Sequence, residues 1–82
     1  MFALRKLLRV PSSIKTRKVI TVIQFIGFKE VRQKGSHLFF EHVDGRTTLV
    51  PLHKEIRMKL LTKIIKKDLR ITKEEFFQIL NK

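Results

Sequence analysis

The chain lacks cysteine, tryptophan and tyrosine, and it contains only three glycines, two prolines and seven acidic residues. Without cysteine there is no disulfide framework, no thiolate metal site and no thiol nucleophile, and a reducing compartment such as the cytoplasm is the natural location. No stretch approaches the roughly 20 apolar residues that a membrane-spanning helix needs. Glycine-rich phosphate loops, HExxH motifs and paired Asp clusters are also missing. The sequence therefore predicts no membrane span, no cofactor and no bound metal.

Basic residues dominate what is present. Nineteen Lys and Arg residues against seven Asp and Glu residues give a formal charge of +12 in 82 residues. A field of this strength attracts polyanions and favours contacts with phosphate. A basic surface that serves only solubility would have the same composition, so charge alone does not assign a function.

The domain organisation predicted from length and composition is simple. A hydrophobic fraction of 43% supports a globular fold, and 82 residues suffice for one small domain with a thin core. We expect that domain over residues 12–82, preceded by a basic leader over residues 1–11. The leader is compatible with a membrane-surface helix, a targeting segment, a packing arm or an extended chain, and membrane attachment is disfavoured.

The first predicted element is a helix that begins just after residues 11–13. Ser13 or Thr16 would cap its first amides. Gly27 would end it, because glycine readily adopts the left-handed conformation at a helix C-terminus. Apolar residues recur at helical spacing along one face, namely Val19, Ile20, Val22, Ile23 and Ile26.

Three short strands are predicted next, over residues 28–34, 37–42 and 47–50. Gly35-Ser36 is the two-residue turn between the first two strands. Asp44-Gly45 is a strong hairpin signal before the third, because this dipeptide suits turns with positive φ.

Two helices are predicted in the last third of the chain. The first has an apolar stripe made of Met58, Leu60, Leu61, Ile64, Ile65 and Leu69. Thr72 and Glu75 form a capping box at the start of the second. The predicted fold is therefore α+β, in the order α-β-β-β-α with a short extra C-terminal helix, and its three-stranded antiparallel sheet packs on the helices.

The run Lys34-Gly35-Ser36-His37 is the most informative feature for function. It places a histidine beside a flexible glycine and a cation at a tight turn. Residues of this kind are not expected in a hydrophobic core. Cleavage of RNA needs a base that takes the 2′-hydroxyl proton, an acid for the departing 5′-oxygen, and cations that stabilise the charged phosphorane. A histidine with lysines around it supplies this set without a metal.

The three histidines differ in their surroundings. His37 is the catalytic candidate at a turn–strand junction, His53 is a candidate phosphate or base contact in the loop before the long helix, and His42 is expected to be structural. A Ser36-His37-Asp44 hydrolase assembly is disfavoured, because adjacent extended residues point in opposite directions and no oxyanion-hole motif accompanies them.

Several segments resemble a known family. Residues 27–37, Gly-Phe-Lys-Glu-Val-Arg-Gln-Lys-Gly-Ser-His, are similar to the signature of the HicA (YcfA-like) toxins. Residues 50–53, Val-Pro-Leu-His, resemble that family's VP-x-H segment, and residues 60–67 and 71–76 resemble its closing section. The resemblance covers roughly residues 12–80. Two departures are Met58-Lys59, where the family often has Gly-Thr, and the basic leader.

The resemblance implies a fold like the double-stranded-RNA-binding domain and the toxin role of a type II toxin–antitoxin system. It further implies metal-independent cleavage of mRNA with His37 as the catalytic residue, and neutralisation by a HicB-type antitoxin. Gly35 and Ser36 would shape the turn and Lys34 would steady the phosphate. Lysines on the outer face of the long helix would hold the RNA backbone, namely Lys59, Lys63, Lys66 and Lys67. The alternative is a non-catalytic RNA- or DNA-binding module of the same fold, in which His37 is only a contact.

Overall fold

The computed structural model describes residues 11–82. The predicted leader, apart from Pro11, lies outside the described residues. In chain order the elements are β1 (Ser13–Lys15), α1 (Thr16–Phe25), β2 (Lys29–Lys34), β3 (His37–Glu41), β4 (Thr47–Pro51), β5 (Glu55–Arg57), α2 (Met58–Lys63), a π-helical segment (Ile64–Leu69) and α3 (Lys73–Leu80).

Strands β2, β3 and β4 form the antiparallel sheet that the sequence predicts, in that spatial order. Leu38 and Phe40 of β3 are buried, whereas His37 and Glu41 lie on the other face and are exposed. Alternation along an extended strand explains this division. The α+β class and the double-stranded-RNA-binding-domain-like order α-β-β-β-α are thereby confirmed.

The core lies between the inner face of this sheet and the helices. Helix α1 contributes three fully buried side chains at helical spacing, and the last third of the chain contributes the rest of the helical layer. The buried apolar residues are Val19, Val22, Ile23, Phe28, Leu38, Phe40, Val50, Ile56, Leu61, Ile64, Ile65, Leu69 and Phe76. Within residues 11–82, no helix has both the length and the apolar character that crossing a membrane requires.

A second sheet of two short strands was not predicted. Strands β1 and β5 pair antiparallel, with Ile14 opposite Ile56, and the latter is buried in the core. This pairing holds the chain extended through Lys15, so α1 begins only at Thr16. The predicted cap by Ser13 or Thr16 is therefore wrong, since Lys15 occupies the N-cap and makes no side-chain cap bond.

The predicted long helix consists of two adjoining segments that differ in hydrogen bonding. It is α-helical from Met58 to Lys63 and π-helical from Ile64 to Leu69, where bonds span five residues instead of four. Leu60, which the prediction placed in the apolar stripe, is 39% exposed. Its neighbour Leu61 is buried in the core. Consecutive helical residues point about 100° apart, so Leu60 and Leu61 are not both buried.

The end of this helix is tied to β4 and to the residue before it by two polar contacts. Thr48 donates its hydroxyl hydrogen bond to Asp68 at 2.8 Å, and the Arg46 guanidinium donates to the carbonyl of Leu69. The capping box of α3 is confirmed, with both Thr72–Glu75 hydrogen bonds at 3.0 Å. The contacts of Thr48 and Arg46 hold the end of the long helix against the sheet.

Candidate functional site

The turn between β2 and β3 presents its residues to solvent. Lys34 and His37 are the last cross-strand pair of this hairpin, and Gly35-Ser36 connects them as predicted. Gly35 has φ +60°, which glycine adopts without steric cost, and Gln33 donates a hydrogen bond to its carbonyl at 3.2 Å. The side chains of Lys34 and His37 are both exposed. The sequence therefore folds into a turn that holds an imidazole and an ammonium group on neighbouring strands.

The position of His37 leaves its imidazole open to a ligand. His37 lies opposite Pro51 of β4, on the sheet face away from the helices. Among residues 11–82 the ion pair joins Asp44 to Arg46, and the other approach of a carboxylate to a basic side chain within 4.0 Å is that of Asp44 to His42, so no carboxylate within this part of the chain pairs with His37 or Lys34. An exposed imidazole can take a proton from a bound hydroxyl group or give one to a departing oxygen, and a neighbouring cation can stabilise negative charge on a phosphate.

The loop over residues 52–54 follows β4 along the chain and contacts both the Lys34–His37 turn and the start of α1. Its first amide, that of Leu52, donates to the carbonyl of Ser36 at 2.6 Å. At its other end Thr16 donates from its hydroxyl to the carbonyl of His53, and from its amide to the carbonyl of Lys54 at 3.1 Å. The loop is therefore held by both neighbours, and it brings His53 to the same edge of the molecule as His37.

A groove lies between this loop and the first turn of α1. Its volume is about 480 Å³. The residues that line it are Lys15, Thr16, Arg17, Ile20, Leu52, His53 and Lys54. Of these, the sequence singled out only His53 as a site residue. The basic groups come together through long-range bonds to Thr16, so no local sequence signal identified them.

The four lysines proposed to hold RNA are all exposed, but they do not form one α-helical face. Lys59 and Lys63 are four residues apart in α2, whereas Lys66 and Lys67 belong to the π-helical segment. The latter pair directly precedes Asp68, which binds Thr48. Thr48 lies three residues before Pro51, the residue of β4 that pairs with His37. Lys66 and Lys67 therefore lie toward the end of the sheet that is far from His37.

His42 makes structural contacts. As the tautomer with hydrogen on Nε2, assigned from its partners, it donates to the carbonyl of Ile26 at 3.0 Å, and its Nδ1 accepts from the amide of Asp44 at 3.1 Å. Its ring packs edge-on against Phe28, with ring centroids 5.1 Å apart. These contacts agree with the structural role predicted for His42.

The disfavoured Ser36-His37-Asp44 assembly is not formed. Asp44 lies at the other end of β3, in the turn before β4, where it binds Arg46. The hydrogen bond from the Arg46 amide, followed by that from its side chain, lowers the pKa of the Asp44 carboxyl below its ordinary value. Within residues 11–82, no three His, Asp or Glu side chains approach closely enough to hold a metal ion.

Comparison with known proteins bears on the family. A search of curated proteins returned no match. The family model described as the HicA toxin of bacterial toxin–antitoxin systems matches residues 16–69, about two thirds of the chain. The matched segment includes α1, the Lys34–His37 turn, the loop over residues 52–54 and the helix that ends at Leu69. The chain therefore belongs to the HicA toxin family.

Proposed function

We propose that this toxin is an endoribonuclease that cleaves mRNA in the cytoplasm without a metal ion. The observation that carries the proposal is the exposed His37 beside Lys34 at the β2–β3 turn. Family membership supplies the toxin role, and the +12 charge supplies attraction to a polyanion.

The proposed reaction uses the 2′-hydroxyl group of the RNA as its nucleophile. The His37 imidazole takes the proton of this hydroxyl, and the 2′-oxygen attacks the adjacent phosphorus. The bond to the 5′-oxygen of the next nucleotide breaks, and that oxygen receives a proton from the imidazolium or from water. The products are a 2′,3′-cyclic phosphate and a 5′-hydroxyl, so atoms and charge balance without a further reactant.

Lys34 and the turn residues assist this step. The ammonium group of Lys34 stabilises the negative charge that develops on the phosphorane oxygens. Gly35 and Ser36 hold the turn, and the Ser36 carbonyl fixes the neighbouring loop that carries His53. His53 provides a further contact to phosphate or base.

RNA is held by exposed lysines of the long helix, which contact phosphates without reading sequence. Lys59 and Lys63 lie on α2, and Lys66 and Lys67 extend the contact along the π-helical segment. The same exposed lysines and the double-stranded-RNA-binding-domain-like fold also support the alternative of a non-catalytic nucleic-acid-binding module. Both functions predict binding that weakens steeply with salt, so binding alone does not separate them.

Incubation of the purified protein with total RNA in excess EDTA separates the two functions. We expect cleavage at a rate that EDTA leaves unchanged, because the proposed step uses only side chains and the RNA itself. The measurement is a denaturing gel over time, with a native gel in parallel. RNA that is retarded on the native gel but stays intact on the denaturing gel would favour the binding module.

The expected partner is a HicB-type antitoxin with acidic groups that face this surface. Opposite charge speeds encounter, and apolar anchors then slow dissociation. Suitable anchors are Leu52, which is 40% exposed, Phe39, which lies half-buried beneath Arg32, and the partly buried Met58. We propose that the antitoxin covers the Lys34–His37 turn and part of α2.

This arrangement predicts protection from hydrogen exchange on binding of the antitoxin. Amides over residues 34–38 and 52–59 should exchange more slowly in the complex than in the free toxin, because both segments become occluded. Mass-spectrometric exchange on the two states measures this directly. An antitoxin that stops cleavage while both segments exchange as in the free toxin would rule out occlusion.

A further inference from the structure

We propose that the groove between the loop over residues 52–54 and the start of α1 binds a nucleotide of single-stranded RNA next to the one cleaved at His37. In this groove Lys15, Arg17 and Lys54 hold the phosphate, and the base lies against Ile20 and Leu52. The inference rests on the proposed function, since it extends the same RNA-binding surface.

The charge of the groove fits a phosphate. Lys15 and Arg17 enter it from the N-terminal end of α1, and Lys54 enters from the loop. In the part of the chain that the structure describes, none of these three cations has a carboxylate oxygen within 4.0 Å. The acid opposite Lys15 across the short sheet is Glu55, which accepts a hydrogen bond from Ser13. The three cations are therefore available to an anion.

The apolar wall fits a base. Ile20 is half-buried, and Leu52 is 40% exposed. A phosphate alone would gain nothing from these side chains, whereas an unstacked base covers apolar surface and leaves its backbone beside the cations. Bases in a duplex are stacked and paired, so this combination favours a single strand.

The groove lies next to the proposed cleavage site. Pro51 lies directly opposite His37, and the next amide, that of Leu52, is bonded to the Ser36 carbonyl. Consecutive Cα atoms are about 3.8 Å apart, so His53 in the groove wall begins no more than roughly 8 Å from Pro51 along the chain. An RNA strand that leaves His37 along this loop therefore enters the groove within a short distance.

The hydrogen bonds of the loop fix the shape of the groove before RNA arrives. Thr16 binds the carbonyls of both His53 and Lys54, and the Ser36 carbonyl binds Leu52. A wall that is already ordered loses less conformational entropy on binding. The same bond at Ser36 also sets the groove relative to the catalytic turn.

Binding of a 2′-O-methyl RNA oligomer tests the groove independently of catalysis, because a methylated 2′-oxygen has no proton to lose and cannot be cleaved. The test variant is Arg17→Ala/Lys54→Ala in the full chain. The matched control is Lys18→Ala/Lys73→Ala, which removes the same charge from exposed positions outside the groove. Fluorescence anisotropy of a labelled single strand, at several salt concentrations, gives the dissociation constant and its salt dependence.

We expect the groove variant to bind roughly tenfold more weakly and to lose up to about 0.7 from the slope of log K against log salt, since Arg17 and Lys54 hold the same phosphate and each phosphate contact on a single strand contributes about 0.7. The control should change both quantities much less. Equal losses in the two variants would overturn the proposal, because they would reflect net charge alone. Cleavage by the wild type is measured separately, so its absence would contradict the proposed function without deciding the groove.

A third variant, Leu52→Ser, tests the base contact. It keeps the backbone amide that binds Ser36, and circular dichroism checks that the fold is unchanged. We expect weaker binding of the 2′-O-methyl RNA but unchanged binding of an abasic oligomer with the same backbone. Equal effects on the two oligomers would show that no base lies against Leu52.

Discussion

Replacement of His37 by alanine is expected to slow RNA cleavage by about 10²–10⁴-fold, the usual contribution of a general acid–base group. In cells the same change should abolish growth arrest. We expect this loss because the exposed imidazole of His37 lies beside Lys34 and no other histidine lies in this turn. Cleavage rates on a defined RNA, with circular dichroism to verify folding, provide the measurement.

His53→Ala is the matched control for this prediction. His53 lines the neighbouring groove and is proposed to contact RNA without moving the proton, so we expect a loss of about tenfold, as for one hydrogen bond to a charged group. A His37→Ala variant that cleaves at the wild-type rate, or a larger loss in His53→Ala, would remove the catalytic role from His37.

Replacement of Gly27 by alanine is expected to destabilise the protein by about 2–3 kcal/mol. Gly27 has φ +108°, which L-residues rarely adopt, and an added Cβ would lie 2.8 Å from Nε2 of His42. The methyl group would displace the imidazole that donates to the carbonyl of Ile26, and this hydrogen bond would be lost as well. Small domains have total stabilities of about 5–15 kcal/mol, so urea denaturation should show a large shift.

Two further variants identify the cause of this loss. Gly35→Ala places its Cβ where no atom lies within 4 Å, so only the positive φ opposes it and the loss should be smaller. In a His42→Ala background, Gly27→Ala should also cost less than in the wild type, because the clash is gone. The same cost in both backgrounds would show that contact with His42 contributes nothing.

Much of the fold could be predicted because its signals are local. The Asp44-Gly45 turn, the alternation that buries Leu38 and Phe40, and the capping box of Thr72 and Glu75 depend on neighbouring residues, and all are present in the structure. The Lys34–His37 turn was recognised for the same reason. Each of these features follows from a few residues of known conformational preference.

The remaining features depend on contacts between residues that are distant along the chain. The pairing of β1 with β5 joins Ile14 to Ile56, and three-residue strands have too little periodicity to be recognised. The bonds from Thr16 to the loop over residues 52–54 replace the expected helix cap and create the groove. The change from α- to π-helical bonding after Lys63 has no signal in the pattern of apolar residues.

Identification of the RNA ends that the wild-type toxin produces tests the central claim most directly. A defined RNA is incubated with the protein in EDTA, and the fragments are analysed by mass spectrometry. Attack by the 2′-oxygen with His37 as the proton carrier predicts a 2′,3′-cyclic phosphate, or the monophosphate formed by its hydrolysis, on one fragment and a 5′-hydroxyl on the other. Fragments that carry a 3′-hydroxyl and a 5′-phosphate would contradict the account, and so would intact RNA.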